Sequence, residues 1–314
     1  MEEGVKFGSS HDLQLRGIWY PAASDAVLVC AHGFAGEKTS KGRFTRLGEE
    51  LSPLGYNVFS FDFAGCGESD DTLLTSAQQQ DDFRSAIAYA KSRGMKRFAL
   101  VGNSMGSYIA LRVATPEIET MLLFAALTGP TRYDWEAFYS PEQMQEWRAT
   151  GHVTMTRDEP YFRRTVVDGK LLDECGSFDQ RDLLRTVKCP VLIIHGDGDE
   201  EERKLLAQSR KGMELLPAGS SLVVLPGANH RMEGRLDAIV ELAQAWFAEK
   251  MPVTSREPSV ISHQYSKPRF QFARLGKSDV QGPDHVRRFG ALAVIRMDEC
   301  GLDRAIRRDD ECSG

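Results

Sequence analysis

The 314-residue sequence predicts an α/β fold, in which a mostly parallel sheet is covered by helices on both faces. Short apolar runs alternate along the chain with longer segments of helical periodicity, and continuous apolar runs are typical of strands buried on both faces. The composition is that of a globular protein with an ample core, at 41% hydrophobic and 27% charged residues. The length accommodates one large α/β domain or two small ones.

The first hundred residues predict a hairpin followed by alternating strands and helices. Residues 5–7 and 13–20 flank a turn-forming segment and predict antiparallel strands. A continuous apolar run at 26–31 predicts the first strand that is buried on both faces. The elements that follow are a helix with Phe44, Leu47, Leu51 and Leu54 at three-to-four spacing, ending at Gly55, a strand at 58–61 and a helix at about 76–93.

The segment 98–111 predicts a sharp turn between a buried strand and a helix. It contains Gly102-Asn103-Ser104-Met105-Gly106, a G-x-S-x-G match with a strand before it and a helix after it. A turn this tight brings backbone segments close together, so the two glycine positions tolerate almost no side chain. Such a turn exposes the serine hydroxyl at its tip. By itself the motif is equally compatible with a flexible loop.

The second half of the body alternates again, with one interruption. Strands are predicted at 121–127, 191–194 and 221–225, and a last amphipathic helix at about 236–250. Residues 131–188 are polar and rich in large aromatic side chains, and they lack a strong strand pattern. We therefore predict that this segment is a short cap inserted into a domain that spans residues 1–250.

Residues 251–314 differ from the body. They contain scattered Pro, Gly, Ser and charged residues with a single apolar run at 291–295, too little to offset the entropy of ordering the segment. We predict a tail that is disordered, or docked on the body or on a second copy of the chain in a homodimer. A chain that lacks this tail should keep its activity.

Composition also excludes several classes of function. The net charge of −6 and the lack of a basic stripe argue against nucleic acid as a partner. No run reaches the roughly 18 apolar residues of a membrane span, and no secretory signal is recognisable. The six cysteines are scattered without a C-x-x-C pair, which predicts no metal site and no disulfide framework. A cytoplasmic location and the absence of a cofactor are the expectations.

Four polar positions follow predicted strands at their carboxyl ends, where chemistry collects in open α/β sheets. They are His32, Ser104, Asp199 and His230. The order Ser, Asp, His along the chain is the order of the α/β-hydrolase triad. Together these residues make the chain resemble the α/β-hydrolase superfamily over residues 1–250.

Further motifs strengthen this resemblance. They are His32-Gly33-Phe34 at the oxyanion loop, Asp62-Phe63-Ala64-Gly65-Cys66-Gly67-Glu68-Ser69, the acid motif His195-Gly196-Asp197-Gly198-Asp199, and Gly227-Ala228-Asn229-His230. The H-G-F-x-G-x-K-[ST] form also resembles cinnamoyl/feruloyl-type esterases and serine aminopeptidase-like hydrolases. The family often continues with V-P after the acid, whereas residues 200–203 here are Glu-Glu-Glu-Arg.

The resemblance implies a division of roles. Ser104 is the expected nucleophile, His230 the base that takes its proton, and Asp199 the acid that orients the imidazole. The backbone N–H groups of Phe34 and Met105 are expected to form the oxyanion hole. Asp197 is the alternative acid, and either aspartate could instead be a turn or cap residue. His32, Asp62 and His195 are expected to organise loops.

The expected activity is hydrolysis of a small-molecule carboxylic ester through an acyl-serine intermediate, in the class EC 3.1.1. Peptidase, thioesterase and acyltransferase activities use the same triad and remain open, and a non-catalytic binding protein on this fold is a further alternative. Trp135, Phe138 and Tyr139 in the predicted cap could contact substrate or could be ordinary packing residues.

Overall fold

The computed structural model describes residues 1–158 and 163–253. Its strands are β1 (Glu3–Gly8), β2 (Gln14–Tyr20), β3 (Ala26–Ala31), β4 (Asn57–Asp62), β5 (Leu73–Leu74), β6 (Arg97–Asn103), β7 (Ile118–Phe124), β8 (His152–Arg157), β9 (Arg163–Asp168), β10 (Val191–Gly196) and β11 (Ser221–Leu225). Its helices are α1 (Arg43–Leu51), α2 (Ser76–Ser92), α3 (Met105–Val113), α4 (Trp135–Phe138), α5 (Pro141–Thr150), α6 (Gly169–Cys175), α7 (Gln180–Arg185), α8 (Glu200–Gly212) and α9 (Leu236–Lys250).

Within the described residues, eight strands form one sheet in the order β1-β2-β4-β3-β6-β7-β10-β11. The neighbours from β4 to β11 run parallel, and only the first hairpin and its pairing with β4 are antiparallel. The mostly parallel sheet predicted from the buried apolar runs is therefore confirmed. Since parallel strands end at the same edge, the loops after β3, β6, β10 and β11 lie side by side.

Both faces of the sheet are covered, as the sequence predicts. In β3, Val27 and Val29 belong to the core on one face, while Leu28 and Cys30 belong to the core on the other. Helices α2, α3 and α8 contribute apolar residues to the first core, and α1 and α9 contribute to the second. No helix among the described residues combines the length and the apolarity needed to cross a membrane.

The segment 131–188 lies between β7 and β10 and contains α4 to α7 together with β8 and β9. The prediction that this segment lacks strong strands is wrong for β8 and β9. These two strands form an antiparallel hairpin, and β9 also pairs with β5. The hairpin buries few apolar side chains, chiefly Val153 and Val167, so its pattern in the sequence is weak.

Other predictions differ from the structure at element boundaries. Strand β7 begins three residues before the predicted start at 121, and residues 125–127 form the turn after it. The acidic residues after Asp199, which depart from the family pattern, begin helix α8. The predicted tail and its apolar run at 291–295 lie outside the described residues, apart from the three residues up to Val253, so those predictions stay predictions.

Candidate active site

Ser104 lies at the tip of the turn between β6 and α3. Its backbone has φ 51° and ψ −121°, a conformation that costs a non-glycine residue about 1–3 kcal/mol and persists only where the surroundings enforce it. The turn is held by a hydrogen bond from the Ser104 N–H to the carbonyl oxygen of Phe124 on β7, at 3.1 Å. This strained backbone conformation places the Ser104 hydroxyl at the carboxyl edge of the sheet.

The two glycines of the motif are required by close backbone approaches. A Cβ atom on Gly102 would lie 2.5 Å from the Cα of Ser107. A Cβ atom on Gly106 would lie 2.5 Å from the carbonyl oxygen of His32, which precludes any side chain there. The steric reason for predicting the turn from its glycines is thus visible in the structure.

His230 lies in the loop after β11 and reaches the serine. Its Nε2 is 3.1 Å from Oγ of Ser104, within hydrogen-bonding distance for a proton transfer. Nothing in the local sequence brings these residues together, since they are 126 positions apart. The sheet does so, because β6 and β11 end at the same edge.

The carboxylate that contacts the imidazole belongs to Glu202, not to Asp199. Oε1 of Glu202 lies 2.7 Å from Nδ1 of His230. Asp199 instead accepts two backbone hydrogen bonds, from the Glu202 N–H at 2.8 Å and from the His230 N–H at 2.6 Å. The contact expected between Asp199 and the ring is therefore made by Glu202, while Asp199 caps helix α8 and holds the histidine loop.

Asp197, the alternative acid, also binds backbone. Its Oδ1 accepts a hydrogen bond from the N–H of Gly227 at 2.7 Å, at the start of the loop that carries His230. Two aspartates from the loop after β10 thus fasten the loop after β11, one at each end. Their side chains position the histidine through its backbone.

A second histidine, His195, also contacts the Glu202 carboxylate. Oε2 of Glu202 lies 2.8 Å from Nδ1 of His195, and the N–H of Gly196 donates to the same oxygen at 2.8 Å. Nε2 of His195 contacts Oγ of Ser209 at 2.8 Å. The side chains of Glu202 and His195 are fully buried. Both carboxylate oxygens therefore have fixed partners, which sets the orientation that His230 meets.

The charges in this network shift two pKa values in opposite directions. Burial disfavours the Glu202 carboxylate, but its hydrogen bonds to His195, His230 and Gly196 outweigh burial and lower its pKa to about 2. Burial likewise disfavours protonated His230, but the Glu202 hydrogen bond and the charges of Glu201, Glu202 and Asp199 raise its pKa above the ordinary histidine value. Because Glu202 is ionised, Nδ1 of His230 carries the hydrogen and Nε2 is free to accept one from Ser104.

The loop after β3 offers an unused donor beside the serine. Among the described residues, no acceptor takes a hydrogen bond from the backbone N–H of Phe34 or of Met105. His32 shapes this loop, because its Nδ1 lies 2.8 Å from the Gly33 carbonyl oxygen and its Nε2 accepts the N–H of Phe63 at 3.2 Å. Since both partners are backbone groups and burial lowers its pKa, His32 is a neutral loop residue, as expected.

Ser104 and His230 line a pocket of about 360 Å³. Trp135 and Phe138 of the segment 131–188 also line the pocket. Tyr139 is buried and stacks against Trp135, with ring centroids 5.8 Å apart. The remaining side chains that surround the pocket include the apolar Phe34, Leu127, Tyr133, Met155 and Cys175 and the charged Glu37, Lys41, Arg43, Arg157, Glu201 and Arg231. Within the described part of the chain, no group of His, Cys, Asp and Glu side chains is arranged to hold a metal ion.

A spacing in the sequence could have indicated Glu202. Asp199 and Glu202 are three residues apart in the pattern of a capped helix start, D-x-x-E, which predicts a helix at 200. A helix that begins at residue 200 places residue 202 in its first turn.

Comparison with known proteins places the chain among hydrolases. Residues 28–245 match the sequence profile of the alpha/beta hydrolase family. Thiohydrolase apmlB of Arthrinium phaeospermum is 26% identical over 189 residues, which cover 58% of this chain and 60% of that protein. Lysophosphatidylserine lipase ABHD12 of Danio rerio is 26% identical over 249 residues, covering 70% of this chain and 62% of that protein. The chain thus spans less than two thirds of the length of either of these curated relatives.

Solved structures share the architecture. Est1E of Butyrivibrio proteoclasticus, solved with ferulic acid bound, superimposes with a TM-score of 0.61 at 18% identity. The match covers 78% of this chain and 98% of Est1E. At this identity the likeness shows a common fold.

Proposed function

Because the chain belongs to the alpha/beta hydrolase family, we propose that it is a serine hydrolase that cleaves carboxylic esters through an acyl-serine intermediate. Membership confirms the resemblance drawn from the strand-end motifs, and it makes hydrolysis the class of activity. The finer proposal rests on one observation: Ser104, His230 and Glu202 form a continuous hydrogen-bonded line that ends in the pocket.

The proposed reaction has two halves. Oγ of Ser104 attacks the ester carbonyl carbon while Nε2 of His230 takes the hydroxyl proton. The carbonyl oxygen becomes an oxyanion, which the N–H groups of Phe34 and Met105 stabilise. The intermediate collapses to an acyl-serine and the alcohol leaves with the proton from His230. Water then attacks the acyl group by the same route, releasing the carboxylic acid and restoring Ser104.

In this proposal Glu202 takes the role that the sequence motif assigns to Asp199. Its carboxylate fixes the Nδ1–H tautomer of His230 and stabilises the imidazolium that forms when Ser104 loses its proton. Asp199 is a positioning residue, because both of its hydrogen bonds go to backbone N–H groups. The proposal thus keeps the predicted nucleophile and base and changes the acid.

A thioester is the second candidate substrate. The observation that favours it is the first of the two relatives, which is named as a thiohydrolase. The same triad serves both bonds, because a thiolate is an easier leaving group than an alkoxide and the oxyanion step is shared. Peptidase and acyltransferase activities remain alternatives that a substrate panel distinguishes. A cytoplasmic location stays a prediction.

A fluorophosphonate probe tests the proposed nucleophile. The wild-type chain should be labelled and should hydrolyse p-nitrophenyl esters, whereas Ser104→Ala should lose both properties. Ser92→Ala, an exposed serine on α2, is the matched control and should behave as wild type. Labelling that persists at another serine in Ser104→Ala would overturn the assignment. A panel of p-nitrophenyl esters, feruloyl esters, acyl thioesters and aminoacyl amides then identifies the bond.

A further inference from the structure

The pocket contains more positive than negative side chains, on a chain whose net charge is −6. Four basic side chains surround it, namely Lys41, Arg43, Arg157 and Arg231. Two acidic side chains, Glu37 and Glu201, also line it. The side chains that line the pocket, four basic and two acidic, therefore carry an excess of two positive charges, opposite in sign to the whole protein.

The two acidic side chains do not pair with these cations. The Glu37 carboxylate accepts hydrogen bonds from the backbone N–H groups of Thr39 and Lys41 and from the Thr39 hydroxyl, at 2.6 to 2.8 Å. Glu201 faces the catalytic histidine, with Oε1 3.6 Å from Nε2 of His230. Both carboxylates are therefore engaged elsewhere, one in shaping the loop and one beside the imidazole.

The arginines are held by neutral groups. Arg43 donates to the carbonyl oxygens of Ser40 at 2.6 Å and Arg231 at 2.7 Å, and Arg157 donates to the carbonyl oxygen of Phe34 at 3.2 Å. Within residues 1–158 and 163–253, no carboxylate forms an ion pair with the side chain of Lys41, Arg43 or Arg157. Burial lowers the pKa of Lys41 and of Arg43, and the charge of Glu233 counteracts this in both, as Glu37 does for Arg43. These carboxylates therefore balance part of the positive charge without forming an ion pair with it.

The fourth cation, Arg231, has only a long contact with a carboxylate. Its Nη1 lies 3.9 Å from Oε1 of Glu233, and both side chains are exposed. An exposed pair at this separation contributes little, because water screens the attraction. Arg231 can therefore turn from Glu233 to an anion in the pocket.

Lys41 is held at the pocket at a conformational cost. Ser40, Lys41 and Gly42 are three successive residues with positive φ, at 50°, 56° and 82°. Such backbone costs about 1–3 kcal/mol at each non-glycine position and concentrates at binding sites. Burial and the nearby charges of Arg231, Arg157 and Arg43 lower the pKa of Lys41, so these like charges are close enough to repel one another. An anion among them would relieve that repulsion.

We propose that the substrate carries a carboxylate or phosphate group, which Lys41 and Arg231 bind in the pocket that Ser104 lines, while an apolar part of the substrate lies against Trp135 and Phe138. This inference rests on the proposed hydrolase activity and names the class of its substrate.

Two matched pairs of substrates test which part of the substrate carries the negative charge. The first compares the p-nitrophenyl monoester of glutaric acid with p-nitrophenyl valerate, which places a carboxylate at the end of the acyl chain. The second compares butyryl phosphopantetheine with the butyryl thioester of N-acetylcysteamine, which places a phosphate on the leaving group. We expect the anionic member of at least one pair to have a kcat/KM about tenfold higher, with a preference that weakens as ionic strength rises. The pair that shows it identifies the source of the anion.

Variants then test the residues. Lys41→Met and Arg231→Gln should each lower the ratio of kcat/KM for the anionic member of a pair to that for its neutral member by most of the wild-type preference. Lys6→Met, which removes an exposed charge on edge strand β1, is the control and should change neither value.

Equal kcat/KM within both pairs would refute the inference, as would equal losses on charged and neutral substrates in the variants. Retained labelling of Ser104 and hydrolysis of the neutral esters in the same samples would show that the hydrolase proposal itself survives. Loss of labelling and of all hydrolysis in wild type would instead refute the proposed function.

Discussion

Replacing Glu202 with glutamine removes the charge beside His230 and reverses its hydrogen-bond pattern. The Gly196 N–H donates to Oε2 of Glu202 at 2.8 Å, so the oxygen of the new amide must occupy that position. The amide nitrogen then faces Nδ1 of His230, where Oε1 now lies at 2.7 Å. An NH₂ group there donates to Nδ1 and places the imidazole hydrogen on Nε2. In that tautomer His230 cannot accept the proton of Ser104.

The expected loss is large because the wrong tautomer and the missing charge act together. Asparagine in place of the acid of a serine protease triad costs about 10⁴-fold in kcat, and we expect Glu202→Gln to cost about 10³- to 10⁴-fold here. Asp199→Asn and Asp197→Asn are the matched controls. Asp197 accepts one backbone hydrogen bond, which an asparagine oxygen can keep, so Asp197→Asn should cost about tenfold or less. Asp199 accepts one on each oxygen, so Asp199→Asn keeps only one of the two and should cost more than Asp197→Asn but less than Glu202→Gln.

The assay is steady-state hydrolysis of a p-nitrophenyl ester, with melting temperatures measured on the same samples. Glu202→Gln should lower kcat far more than either aspartate variant while remaining folded. A greater loss of kcat in Asp199→Asn than in Glu202→Gln, with both proteins folded, would refute the assignment and restore the acid predicted from the sequence motif. If Glu202→Gln and Asp199→Asn lose activity equally and both unfold, Glu202→Asp is measured as well. This variant keeps the negative charge and should retain more activity than Glu202→Gln.

Three further predictions follow from the same structure. The kcat/KM of the wild type should rise with pH through a midpoint above the ordinary histidine pKa, since His230 must be neutral to accept a proton; Glu201→Gln should move that midpoint to lower pH, and an unchanged profile would contradict the charge argument. Phe138→Ala should alter relative kcat/KM among acyl chains with little change in melting temperature, whereas Tyr139→Ala should mainly lower the melting temperature; the reverse ranking would contradict their placement. A chain ending at Val253 should keep its kcat within a few-fold in the same ester assay, and aggregation or inactivity would show that later residues are needed.

The sequence predicts the scaffold well because its determinants are local. The buried strands are continuous apolar runs such as 26–31 and 191–194, and each can be recognised without its neighbours. The elbow is equally local, since two glycines and a serine define a backbone path that sterics permit for few other residues. Ser104 and His230 could therefore be predicted from short motifs and from the rule that strand ends share an edge.

The wall formed by residues 131–188 could be predicted only in outline. Its aromatic content indicates side chains that could contact a substrate. Which of these rings face the pocket depends on how α4 packs against its neighbours. Trp135 and Phe138 face the pocket whereas the adjacent Tyr139 is buried, a distinction that one helical turn produces. The basic side chains could not be predicted for a similar reason, because Lys41 and Arg43 are distant in sequence from Arg157 and Arg231 and the four converge only in the fold.

The proposed acid illustrates how a motif can locate a site without fixing which carboxylate meets the imidazole. H-G-x-x-D correctly locates the turn after β10, but spacing cannot say where a carboxylate points. Once Asp199 caps helix α8, both of its oxygens are occupied by backbone N–H groups. Glu202, one turn later, has the longer side chain, and the N-terminus of the helix favours its negative charge. His195, which the motif places at the end of β10, holds the other carboxylate oxygen. In the proposed triad, the histidine of the motif thus helps to orient the Glu202 carboxylate, and the aspartate of the motif fixes the start of the helix that carries it.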